Sequence, residues 1–164
     1  MLKIIHFIDK RLATFENVLI ILLLSVMVLM AFLQVVLRNL FSTGILWGDI
    51  FLRHLVLWVG FIGASLATRE SKHINIDILS RMMPTTSLPA VRFIIDLVSA
   101  AVCFVLARAG YKFLAYEIEE GTKLFKDVPA WIFQIIIPAG FALIGFRFIL
   151  MALRQVLEKP TAET

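Results

Sequence analysis

Between Val18 and Leu37 the chain reads VLIILLLSVMVLMAFLQVVL, with no charged side chain anywhere in the run. A helix rises 1.5 Å per residue, so about 20 residues cover roughly 30 Å, the thickness of one bilayer core. Three further apolar runs follow, over about residues 48–68, 89–111 and 129–153, and the charged residues cluster between them. Hydrophobic residues make up 60% of the chain and its mean hydropathy is +0.92. A soluble domain is about 45–50% apolar, and a core this small cannot hide the surplus, so it must face lipid. The expected fold is an all-α integral membrane protein with four transmembrane helices, forming one membrane domain over residues 1–164.

The boundaries follow from local chemistry. Arg38 and Asn39 close the first span; Thr68, Arg69 and Glu70 close the second. Pro84 and Pro89 break the second connection and start the third run, in which Arg92 and Asp96 stand four apart on one face. The apolar pattern of this run continues past Tyr111 to Glu120, where Gly121 is a natural stop; a helix of that length must tilt or protrude. Pro129 suits a first helical turn, and Pro138 removes one backbone bond inside the fourth span. Before the first span, Leu2, Ile5, Ile8, Leu12 and Phe15 recur at helical spacing opposite Lys3, Asp9, Lys10 and Arg11. Residues 1–16 are therefore expected to form an amphipathic interfacial helix, the alternative being an extension of span one. The first run is too long for a cleavable signal peptide and lacks its cleavage pattern. Residues 154–164 are expected to be a disordered tail.

Four spans put both termini on one side. Lys3, Lys10, Arg11, Arg69, Lys72, Arg81, Arg154 and Lys159 flank the spans there, whereas Arg38, Lys112, Lys123 and Lys126 on the other side are diluted by Glu117, Glu119, Glu120 and Asp127. The richer side should be cytoplasmic, N-in and C-in. Trp47, Tyr111, Tyr116 and Trp131 fall at the opposite span ends, where an aromatic belt belongs. In this setting the formal charge of +4 reports orientation and gives no reason to expect nucleic acid.

Within the spans the polar groups are few. Asp49 and Arg53 share one helix face at the mouth of span two, Asp49 at the helix N-terminus and Arg53 about 6 Å deeper. They read as an interfacial anchor, as a contact with a partner protein, or as part of an ion path. His54 has no second histidine within the spans to form a haem-ligating pair, and the single cysteine, Cys103, excludes a disulfide or Cys-based metal site within one chain. No metal or cofactor is expected. Acidic groups deep in the membrane, usual in proton relays and ion sites, are missing, as are phosphate-loop, zincin and nucleophile motifs. Gly60 with Ala64, and Gly63 with Ala67, are small-x-x-x-small pairs suited to close helix packing, and small residues on spans three and four offer the same.

One stretch carries more. WGDIFLRHLVLWVGFIGASLATRESKHINIDIL, with its A-x-R-x-x-x-H-I-x-I-D element at Ala67, Arg69, His73, Ile74, Ile76 and Asp77, followed later by PAWIFQIIIPAGFALIGFRF, resembles the small membrane subunit of tripartite ATP-independent periplasmic (TRAP) transporters, the DctQ-like family. The likeness covers most of the chain. Gly48 and Asp49 stand where that family usually has glutamate, often a pair. The resemblance implies a non-enzymatic subunit in a bacterial inner membrane. Its partners would be a large elevator-type membrane subunit, a periplasmic substrate-binding protein and membrane lipids. It further implies uptake of a carboxylate-bearing solute driven by a sodium gradient. In that setting Trp47, Asp49, Arg53 and Trp131 are the expected anchoring or partner contacts at the periplasmic rim, and Arg69, His73 and Asp77 those at the cytoplasmic edge. Two competing readings are a membrane anchor of a redox complex and a self-sufficient homo-oligomeric transporter.

Overall fold

A computed structural model describes residues 2–45, 47–70, 88–125 and 128–157. Helix α1 runs Leu2–Phe41, α2 Gly48–Glu70 and α3 Leu88–Glu120. A short antiparallel pair, β1 (Lys123–Phe125) and β2 (Val128–Pro129), leads into α4 (Trp131–Gln134) and α5 (Ile136–Leu157). Four segments are long and apolar enough to cross a membrane: Asp9–Phe41, Gly48–Arg69, Ala90–Glu120 and Trp131–Gln155. The all-α, four-span reading stands, with the two-stranded pair as its only described β structure.

The amphipathic N-terminal segment is helical but is not a separate element. No glycine or proline interrupts residues 2–41, and the helix passes from Asp9 through Val18 without a break. The expected interfacial segment and span one thus form one continuous helix, of which the stretch long and apolar enough to cross a membrane begins at Asp9. At its far end Ser42 takes a left-handed φ of 50°. The Thr43 N–H reaches back to the Leu37 carbonyl at 3.3 Å, taking up one of the last helical carbonyls.

Helix α3 ends as expected. Gly121 adopts φ 63° and its N–H bonds the Glu117 carbonyl, a conformation in which a Cβ is unfavourable. Pro129, however, lies in β2, two residues before α4; the helix begins only at Trp131. Pro138 has the predicted effect. It has no N–H to offer the Gln134 carbonyl, and the fourth span is divided at Ile135 into α4 and α5. Beside the break, the Phe133 carbonyl accepts the indole N–H of Trp58 at 2.9 Å, so a neighbouring helix bonds a backbone group of this span. Of the tail expected over residues 154–164, residues 154–157 belong to α5, with Arg154 and Gln155 engaged in contacts described below, and the rest lies outside the described residues.

Helix α1 packs on α2, α2 on α5, and α5 on α3. The α1–α2 seam is built on Leu23, Leu55 and Ile62, with Leu19, Met27, Phe51 and Trp58 around them. Between α2 and α5 the Phe61 ring stands edge-on to Phe141 at 5.0 Å and lies over Gly140. A Cβ at Gly140 meets the Phe61 side chain, its own Cβ at 2.9 Å. Gly140→Ala is therefore expected to destabilise the chain by about 1–3 kcal/mol through overpacking. Chemical unfolding in detergent checks this, and an unchanged midpoint refutes it. Between α3 and α5 the close approaches are Gly145 against Cys103 and Ala100, and Gly110 against Ile137 and Pro138. The outward faces of α1 and α3 carry exposed Leu, Val, Ile and Phe along most of their length, as a lipid-facing surface requires.

Candidate functional site

The charged residues buried in the described structure gather at one end of the bundle, where α1 begins and α2 and α5 end. Asp9 and Glu16 lie seven apart on α1, and so do Arg147 and Arg154 on α5. Two helical turns bring each pair to one face. The helices run antiparallel, so the deeper members, Glu16 and Arg147, meet, as do the outer ones, Asp9 and Arg154. Arg147 Nη2 donates to Glu16 Oε2. Arg154 Nη2 donates to Asp9 Oδ2 at 3.1 Å, and Arg147 Nη1 reaches Asp9 Oδ1 at 3.5 Å. Helix α2 joins from the third side. Ser65 Oγ donates to Glu16 Oε1 at 2.7 Å and Arg69 Nε to Asp9 Oδ2 at 3.3 Å.

Burial gives this network its weight. Ser65 is fully enclosed, and Arg147 and Glu16 are each 2% exposed. A buried ion pair returns little net stability against apolar residues of the same size, because both charges are desolvated; removing one partner leaves the other stranded at a cost of about 3–5 kcal/mol. The arrangement therefore fixes the register of three helices more than it deepens their stability. Beside it, Gln155 Nε2 donates to Asp96 Oδ2 at 2.6 Å, tying α5 to α3 at the same end.

The opposite end is aromatic. Trp47 stands edge-on to Phe51 at 5.9 Å, and Phe51 to Phe133 at 6.1 Å. Trp131 is half-buried. His54 packs against Phe133 at 5.2 Å, with its Nδ1 2.7 Å from the Ile50 carbonyl, so that nitrogen carries the proton and donates. Gly48 sits against the Gln34 amide, which donates to the Ile45 carbonyl at 3.2 Å. Any side chain at 48 must push Gln34 aside, a physical reason for glycine at that position.

Asp49 and Arg53 are both exposed and form no ion pair with each other. They begin a single outward stripe of α2 that continues through Val56, Gly60, Ala64 and Ala67, all exposed. A Cβ at Gly60 meets nothing within 4 Å, and one at Gly63 only Ile20 at 3.7 Å. Among the described residues Gly60 therefore makes no close helix contact, and the intimate approaches are those at Gly140, Gly145 and Gly110. Arg69 joins the ionic cluster, while His73 and Asp77 lie outside the described residues.

Sequence reasoning missed Glu16, Ser65 and the burial of Arg147, and read Asp9 as interfacial and Arg154 as the start of a tail. The signal was present in the matching seven-residue spacings of the acids on one helix and the arginines on another, but nothing in either segment alone says that they face each other.

The family model for the DctQ component of tripartite ATP-independent periplasmic transporters matches residues 27–158. A Haemophilus influenzae protein described as a TRAP transporter small permease is 32% identical over 111 residues, 68% of this chain and 66% of that protein. The chain thus spans about two thirds of that relative's length. The C4-dicarboxylate TRAP transporter small permease DctQ of Vibrio cholerae is 28% identical over 88% of this chain and 72% of its own. The sialic acid TRAP transporter permease SiaT of Haemophilus influenzae is 33% identical over 51 residues, 31% of this chain and 8% of that protein.

Proposed function

Because the chain belongs to the DctQ-component family of TRAP transporters, a family of transporter subunits and not of enzymes, we propose that it is the stationary small subunit of a sodium-driven uptake system. It braces the scaffold of a large membrane subunit whose transport domain moves. The match over residues 27–158 carries this reading. The geometry supports it: the buried charges bind helices to one another at one end, which suits a rigid brace. The likeness to a sialic acid permease supports the large-subunit partner. A periplasmic binding protein completes the system. The solute is a carboxylate-bearing one, in keeping with relatives named for C4-dicarboxylates and for sialic acid. The chain lies in a bacterial inner membrane with both termini cytoplasmic, as its Lys and Arg distribution favours.

The large subunit is proposed to pack on the outward stripe of α2. A run of small residues there admits another helix closely, with Asp49 and Arg53 at its mouth to fix depth and register. Trp47 and Trp131 anchor the periplasmic rim.

Reconstitution into vesicles tests the assignment. Solute uptake is expected only when the chain, the large subunit, the binding protein and an inward sodium gradient are all present. Uptake or current from vesicles holding this chain alone overturns it.

A further inference from the structure

The ionic cluster holds more positive charge and more donors than its own acids can take up. Among the described residues, three guanidinium groups (Arg69, Arg147, Arg154) face two carboxylates. Glu16 is occupied by Arg147 and Ser65. Asp9 is shared among all three arginines at 3.1–3.5 Å, longer than the roughly 2.7–2.9 Å of a close charge-assisted bond. The Nε groups of Arg147 and Arg154 are buried and have no hydrogen-bond partner. A buried N–H left unpaired is costly.

These arginines border a cavity of about 20 Å³, lined by Asp9, Arg69, Arg147, Leu150, Met151 and Arg154. That volume takes one oxygen atom of water size. Its level is defined by hydropathy: the span-forming segments begin at Asp9, end at Arg69 and end one residue after Arg154. The cavity therefore opens where hydrocarbon gives way to headgroups, with Leu150 and Met151 as an apolar wall beside three cationic groups.

We propose that this pocket binds a phosphate oxyanion. One phosphate oxygen enters the cavity toward the free Nε groups of Arg147 and Arg154, Arg69 contacts the outer oxygens, and one negative charge balances the one excess positive charge. A phosphodiester in an anionic lipid headgroup and free phosphate share this chemistry. Basic pockets between membrane helices hold such headgroups elsewhere by the same means. The site is distinct from the α2 stripe and does not depend on what that stripe contacts.

Native mass spectrometry of the full chain, released from dodecyl maltoside, tests the proposal with two probes: phosphatidylglycerol and inorganic phosphate. Wild type is expected to retain one tightly held phosphatidylglycerol. Arg154→Gln should weaken retention about tenfold, the scale of losing charge-assisted bonds. Arg154→Lys, which keeps the charge but lacks Nε, should fall between the two and guards against misfolding of the glutamine variant. Arg38→Gln, an exposed arginine at the other end, should change nothing. Displacement of the lipid by millimolar inorganic phosphate identifies free phosphate as a competent ligand. Retention unmoved by phosphate identifies the headgroup as the ligand. Both support the site. Equal retention by wild type and Arg154→Gln, or binding of neither probe, overturns it.

Discussion

Replacing Arg147 by methionine is expected to destabilise the chain by about 3–5 kcal/mol, because Glu16 then stays buried without its cation. The guanidinium is 2% exposed and bonds both acids of α1. The paired variant Glu16→Met with Arg147→Met should recover most of that loss, since two apolar side chains replace two desolvated charges. Ser65, left without its acceptor, can turn its hydroxyl to a carbonyl of its own helix. Equilibrium unfolding in mixed micelles, followed by the fluorescence of the 3 tryptophans, separates these outcomes. A single variant within about 1 kcal/mol of wild type would show that the pair is not the clasp of the bundle. A double variant no better than the single would locate the loss in packing rather than in stranded charge.

The second large effect concerns assembly. Gly60→Leu should reduce recovery of the large subunit with this chain by about tenfold or more, while the chain's own unfolding moves by no more than about 0.5 kcal/mol. The asymmetry follows from geometry. Space around Gly60 is open among the described residues, so a longer side chain costs nothing there; against a second helix it holds two backbones apart. Arg53→Ala should lower recovery less, and Cys103→Ala, which trims a side chain between α3 and α5, not at all. Unchanged recovery for Gly60→Leu would mean that lipid covers this stripe. Equal recovery for Arg53→Ala and Cys103→Ala would remove the arginine from the contact.

The two experiments address the two kinds of polar group that the sequence presents in similar dress. Asp49 and Arg53 stand four apart on one helix and invite pairing, yet both side chains are exposed and unbridged to each other. Asp9 and Arg154 stand 145 residues apart and do pair. Local spacing makes a contact geometrically available; it does not supply the burial that makes the contact worth forming. The small-residue pairs on α2 show the same limit. Gly60 and Ala64 have the spacing of a packing motif but face outward, whereas Gly140 accommodates Phe61 because the packing of α2 on α5 brings that ring against it.

What the sequence determined by itself is whatever depends on a residue's near neighbours and its solvent. The length of the apolar runs set four spans, the glycine at 121 set the end of α3, the proline at 138 set the break in the fourth span, and the ordered elements around Arg69 carried the family. Hydropathy and backbone bonding are properties of a segment, so a segment suffices to read them. The tertiary structure alone decided that the N-terminal helix is continuous with span one and turns its acids inward, and that α5 extends far enough to place Arg154 on Asp9. It also decided that Arg147 is buried. Whether a charge at a span end is solvated or enclosed depends on which helices close over it, and that is fixed by the joint packing of α1, α2 and α5, whose residues lie far apart along the chain.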